Sequence, residues 1–191
     1  MYHEGKLLVA PPTMRDWRFQ KSVVYLWKHD HTGASGVIIN KRLAEPNLQK
    51  ICRQGNITVG EGIDSAVYYG GPIGVEIVGC LHTLDYRIGS TNSYSGQLGF
   101  TMDRKIIVDI AQGRGPQQHI ITMGIASWDS GQLESEIEGY APRSKKESWL
   151  VMDFDPSLIW HNDMQEMWNS CVNISLSEQS RQYVSKFFAD Q

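Results

Sequence analysis

Strand-like runs crowd the first hundred residues, and their order constrains the fold more than any other feature of the chain. Leu7–Ala10, Ser22–Trp27, Gly36–Asn40, Val67–Tyr69 and Val75–His82 are short and rich in β-branched or aromatic residues. All precede the first long amphipathic stripe, at Asp103–Ala111. Later strand-like runs at His119–Ala126 and Trp149–Met152 alternate with helical ones irregularly. A doubly wound parallel sheet needs regular alternation, so this order predicts an α+β fold, a bent and incompletely closed barrel-like sheet with flanking helices.

The punctuation fits that reading. Pro11-Pro12 stops the first run, His29-Asp30-His31-Thr32-Gly33 reads as the link of a hairpin, and Gly70-Gly71-Pro72 reads as a tight turn between strands. A short helix is expected at Leu48–Cys52, ended by Gly55-Asn56, and a clearer one at Asp103–Ala111, capped by Thr101 or Asp103 and stopped by Gly113. After His119–Ala126 the sequence predicts a turn at Ser127-Trp128. A helix then starts with Asp129 as N-cap and Gln132 closing a capping box, with Leu133 and Ile137 inward until Gly139. Ser157–Trp168 has helical spacing, and Ser175-x-x-Glu178 reads as the start of a terminal helix bearing Tyr183, Val184, Phe187 and Phe188.

The 191 residues, 41% apolar and 20% charged, suffice for one domain spanning residues 1–191. A net charge of −3 argues against direct nucleic-acid contact, and the basic run Arg143-Ser144-Lys145-Lys146, near Glu136, Glu138 and Glu147, reads as a solvated loop. Three widely spaced cysteines, Cys52, Cys80 and Cys171, do not make a disulfide framework and fit a reducing compartment. With no signal-like start and no apolar run of ~18 residues, the chain reads as cytoplasmic and without membrane contact.

No motif declares a reaction. His29 and His31 could share a metal with Asp30 or His82, yet no third ligand falls at a recognisable spacing, so no metal site and no cofactor are assigned. Ser127 lacks the flanking glycines of a nucleophile elbow, since Ile125 and Asp129 stand there. The Gly70–Gly74 stretch lacks the spacing of a phosphate loop. Of Glu134, Glu136 and Glu138 only the first and last share a helix face, and a solvated surface is the simplest account of all three.

Several of these segments, taken in order, resemble the AlgH/YqgE family of bacterial proteins. The matching stretches are Gly5–Ala10 with Pro12 and Met14, Phe19, Ser22–Leu26, His29, Gly33–Lys41, Tyr69–Pro72, His82, and Gly124–Ile137. The resemblance implies a complex α+β fold with an incomplete barrel, in a family often labelled as transcriptional regulators without an established biochemical mechanism. It carries over no catalytic residue. Two departures stand out: Ser127 occupies a position where the family usually has glycine, and residues 139–148 intervene before Trp149-Leu150, where the family has an Asn-x-Trp-Leu element.

The leading expectation is a non-enzymatic binding or regulatory module for a protein or small-molecule partner. Its recognition face would gather His29, Asn40, Gly70, Gly71, Pro72, His82, Trp128, Gln132 and Glu134, with Trp128 either in that face or in the core. The rival is a hydrolase-like enzyme using His29 or His82 as general base in the same cleft. Both depend on one curved sheet bringing these distant loops together.

Overall fold

The computed structural model describes residues 1–93, 95–140, 147–160 and 164–189, with the backbone alone at 164, 165, 179 and 182–189. The basic run at 143–146, most of the 139–148 departure and the side chains of Tyr183, Val184, Phe187 and Phe188 lie outside the described residues.

The strands are β1 (Leu7–Val9), β2 (Val23–Asp30), β3 (Gly33–Ile38), β4 (Val67–Tyr69), β5 (Ile73–His82), β6 (Gly99–Thr101), β7 (His119–Asp129) and β8 (Leu150–Met152). The helices are α1 (Leu48–Gln54), α2 (Arg104–Ala111), α3 (Gln132–Glu138), α4 (Pro156–Ile159) and α5 (Met164–Ala189). The sheet runs β6-β5-β7-β3-β2-β1-β8, antiparallel at every step, and β4 lies beside β7 in parallel. Its ends do not meet, so the bent, incomplete barrel and the α+β class are as expected from the sequence.

Alternation along the strands supplies both faces. Leu7, Val9, Val23, Tyr25, Val37, Leu81 and Phe100 form one apolar cluster, closed by Met167, Trp168, Cys171 and Val172 of α5. The Trp168 indole N–H donates to Ala10 O at 2.9 Å, which anchors that helix at the end of β1. On the other face Leu8, Val24, Leu26, Ala34, Ile38, Ala126 and Trp128 pack with Leu133 of α3, Phe19 and Trp149. A third cluster joins α1 and α2 to Cys80 and Ile121.

The glycine turn works through close backbone approach. A Cβ on Gly70 would fall onto the Gly124 carbonyl oxygen, one on Gly71 onto Ile125, and one on Gly124 onto the Gly71 carbonyl oxygen. Gly124 also takes φ +78°. Here the faces of β7 shift by one residue: Ile120 and then Ile125 pack in the first cluster, while Ile121 and then Ala126 and Trp128 face the other way. The Gly70 N–H donates to Met123 O at 2.8 Å while Gly70 O accepts from Ile38 N–H at 2.8 Å, joining β7 to β3 where β4 stops.

Some boundaries differ from the sequence reading. Ser127 and Trp128 form no turn, because they pair with Ser35 and Ala34 of β3 and the strand continues to Asp129. The N-cap of α3 is Gly131, and only the glutamine half of the capping box forms, with Gln132 Oε1 accepting from Asp129 N–H at 3.0 Å. Ser175-x-x-Glu178 lies inside α5 rather than at a helix start, and Ser157–Trp168 is divided between short α4 and the beginning of α5. The cap of α2 is Asp103, whose side chain accepts from Lys105 N–H. Among the described residues no helix is long and apolar enough to cross a membrane.

Candidate functional site

α3 presents different chemistry on each of its sides. Leu133 faces the core, with Ile137 packed beside it, while Gln132 and Glu136, one turn apart, meet the end of β7 and Glu134 turns toward β2. The two polar sides make two separate arrangements.

The first is a cleft of about 470 Å³. Asp16, Arg18 and Phe19 form one wall, Pro72 and Ile73 a second, Ser127 and Trp128 the floor, and Gln132, Glu136 and Glu147 the remaining side. Glu136 organises it. This carboxylate, on a residue only 2% exposed, accepts from the Trp128 indole at 3.1 Å, the Trp149 indole at 2.8 Å and the Gln132 amide at 3.0 Å. Three segments are thereby tied at one point by charge-assisted hydrogen bonds. Arg18 is held by Asp16 at 2.8 Å, and its guanidinium also lies over the Phe19 ring. Ile73, in the second wall, is exposed, and so is Trp17, at 76%.

The second arrangement surrounds His29, whose side chain is fully buried. Its Nδ1 accepts from His3 N–H at 3.0 Å, so the ring proton sits on Nε2. Nε2 lies 3.2 Å from Glu134 Oε1, close enough for charge contact but outside hydrogen-bonding alignment. The rings of Tyr2 and His3 cover it. Burial, and then His29, hold the His3 imidazole below its ordinary value.

The expected single face is therefore corrected. Pro72, Trp128 and Gln132 share the cleft, with Gly70 and Gly71 shaping its edge. His29 and Glu134 pair on another side of α3. Asn40 clips β2, accepting from Val23 N–H and donating to Lys21 O, both at 2.8 Å. His82 is opposite His119 at the far end of β7 from Trp128, on the order of 25 Å along the strand. It is buried, donates from Nδ1 to Thr83 O and accepts at Nε2 from Thr101, both at 2.9 Å. Trp128, 4% exposed, belongs to the core and the cleft at once. His31 is exposed in the hairpin turn while His29 is buried, and among the described residues no three ligating side chains gather to hold a metal.

Sequence reasoning missed Glu136, taken as solvated, together with Asp16, Arg18 and Trp149. The one available signal for Glu136 was its place one turn after Gln132 in a segment bracketed by tryptophans. The convergence of their indoles is tertiary.

Comparison with known proteins agrees with this architecture. The AlgH-like family model matches residues 7–176. A UPF0301 protein of Jannaschia is 34% identical over 171 residues, covering 88% of this chain and 85% of the relative; one of Afipia carboxidovorans is 32% identical over 180 residues, covering 90% and 82%. The solution structure of AlgH from Pseudomonas aeruginosa superposes with a TM-score of 0.74 at 27% identity, covering 92% of this chain and 89% of that one. A Corynebacterium diphtheriae crystal structure shares the fold, with a TM-score of 0.67 at 21% identity over 88% and 85% of the two chains. The chain belongs to the AlgH-like family.

Proposed function

We propose that this chain is a non-enzymatic binding or regulatory module that takes its partner in the cleft between the Asp16–Phe19 loop, Pro72-Ile73 and α3. The observation that carries this reading is the convergence there of separate segments on the buried Glu136 carboxylate, which fixes the cleft's shape before any ligand arrives. Phe19, Pro72 and Ile73 offer an apolar wall, and Ser127 and Gln132 offer hydrogen-bonding groups, a mixture suited to a small molecule or an extended protein segment. The hydrolase reading has less support: no histidine is among the described lining residues, and both nitrogens of His82 are engaged. Three buried free cysteines are consistent with a cytoplasmic setting.

The test is an NMR screen of isotopically labelled protein against a library of metabolites and short peptides. Binding should shift resonances at Arg18, Ile73, Ser127 and Gln132, and Ile73→Asp should abolish it. Binders that leave those resonances unmoved and perturb another surface would overturn the assignment.

A further inference from the structure

Between α1 and β4 the chain folds around a cavity of about 540 Å³, separate from the cleft and set against the third apolar cluster. α1 turns Leu48 and Cys52 inward, which leaves Gln49 and Arg53, also one turn apart, on a neighbouring face that lines the cavity. The segment after α1 supplies the rest of the lining and is pinned at several points. Ile57 N–H donates to Cys52 O and Gly60 N–H to Ala111 O, both at 2.8 Å, while Leu48 N–H donates to Ser65 O at 3.3 Å. Ile57, Val59 and Ile63, half-buried against the cluster, make an aliphatic base, and the exposed Arg53 and Asp64 make a charged rim. None of these residues lines the cleft beside α3.

The two rim charges do not neutralise each other. Among the described residues neither Arg53 nor Asp64 joins an ion pair, so they stand too far apart to meet across the cavity. Asp64 Oδ1 accepts from Ser65 N–H at 2.8 Å, which leaves its second oxygen without a donor. The nearby Arg104 guanidinium, by contrast, is engaged by Gly55 O at 2.6 Å. Separated, unpaired charges of opposite sign above an aliphatic base are complementary to a molecule with both charges at one end and hydrocarbon at the other. We propose that this cavity binds a free α-amino acid with an aliphatic side chain. Its carboxylate meets the Arg53 guanidinium and the Gln49 amide, its ammonium meets Asp64, and its side chain packs on Ile57, Val59 and Ile63. A ligand with one charge would leave either Arg53 or Asp64 without a partner, and a phosphate dianion would be repelled by Asp64. The inference does not depend on what the cleft binds.

Isotopically labelled protein titrated with L-leucine, L-leucinamide and N-acetyl-L-leucine tests this. Leucine should shift the backbone amides of Gly60, Gly62 and Asp64 saturably, with a Kd below about 10 mM, the range open to so small a ligand. Leucinamide lacks the carboxylate and N-acetyl-leucine lacks the ammonium, and each should bind roughly tenfold more weakly. Arg53→Gln should erase the difference between leucine and leucinamide. Asp64→Asn, which keeps an oxygen for the Ser65 N–H, should erase that between leucine and N-acetyl-leucine. The comparison of the three compounds on the wild type decides without any variant. No saturable shift at those amides, equal binding of leucine and either capped form, or leucine shifts confined to the cleft at Ile73, Ser127 and Gln132 would overturn the proposal.

Discussion

Glu136 shows how much one buried group can hold. Its two oxygens receive two indole N–H groups and one amide N–H, drawn from β7, from α3 and from the segment before β8. In Glu136→Gln one oxygen becomes an NH2 group, which must face a donor that nothing then satisfies. Hydrogen bonds to charged groups contribute about 1.5–3 kcal/mol, so the change should destabilise the fold by about 2 kcal/mol in urea titration. A loss within ~0.5 kcal/mol would mean that the donors find other acceptors. Such hubs are hard to read from sequence because a carboxylate on a short helix is normally solvated. The fact that contradicts the habit, two tryptophan edges turned inward, exists only after the sheet has closed around them. His29 was easier to single out, but its true partners, His3 and Glu134, come from positions that no spacing rule connects to it.

At the scale of elements, the crossing of Gly70-Gly71 with Gly124 decides whether the cleft exists. There β7 exchanges β4 for β3 as its neighbour, and its buried face shifts by one residue. Gly124→Ala should cost more than about 2 kcal/mol, combining a left-handed backbone for a residue with Cβ and a collision with the Gly71 carbonyl. Denaturant unfolding checks the cost, and near-wild-type stability would show that the crossing can relax. The strands and the two-face pattern were legible because alternation is local, as were the start of α2, with its cap narrowed to Thr101 or Asp103, and the glycine ends of α2 and α3. The failures share one cause: tertiary pairing overrides a local signal. Ser127-Trp128-Asp129 reads as a turn until β3 supplies a ladder for it. Ser175-x-x-Glu178 reads as a helix start until the stripe Met167, Trp168, Cys171 and Val172 is seen to run on, in phase, to a buried Ser175. A capping box needs an open helix end, and none is present there.

Across the whole molecule, pH should act on stability in two separate windows. His82 of β5 faces His119 of β7, and burial holds both imidazoles below their ordinary value. The unfolded chain takes up both protons near pH 6.5 while the folded chain still resists. Their contribution is therefore complete above the unfolded value and lost as pH falls from there toward the depressed folded values. Asp109 behaves as a carboxylate should. Lys105, together with the Tyr86 hydroxyl and Arg114, holds it below its ordinary value, so its contribution survives through the imidazole window and disappears only at lower pH. Urea midpoints followed from about pH 7.5 downward should thus fall once through the histidine range and again in the acid range. Replacing both His82 and His119 with Gln should flatten the first decline and leave the second. His3, whose imidazole is also held low by burial, remains in that variant and preserves part of the first. An undiminished first decline in the double variant would assign it to other groups and separate the far end of β7 from the acid sensitivity of the fold.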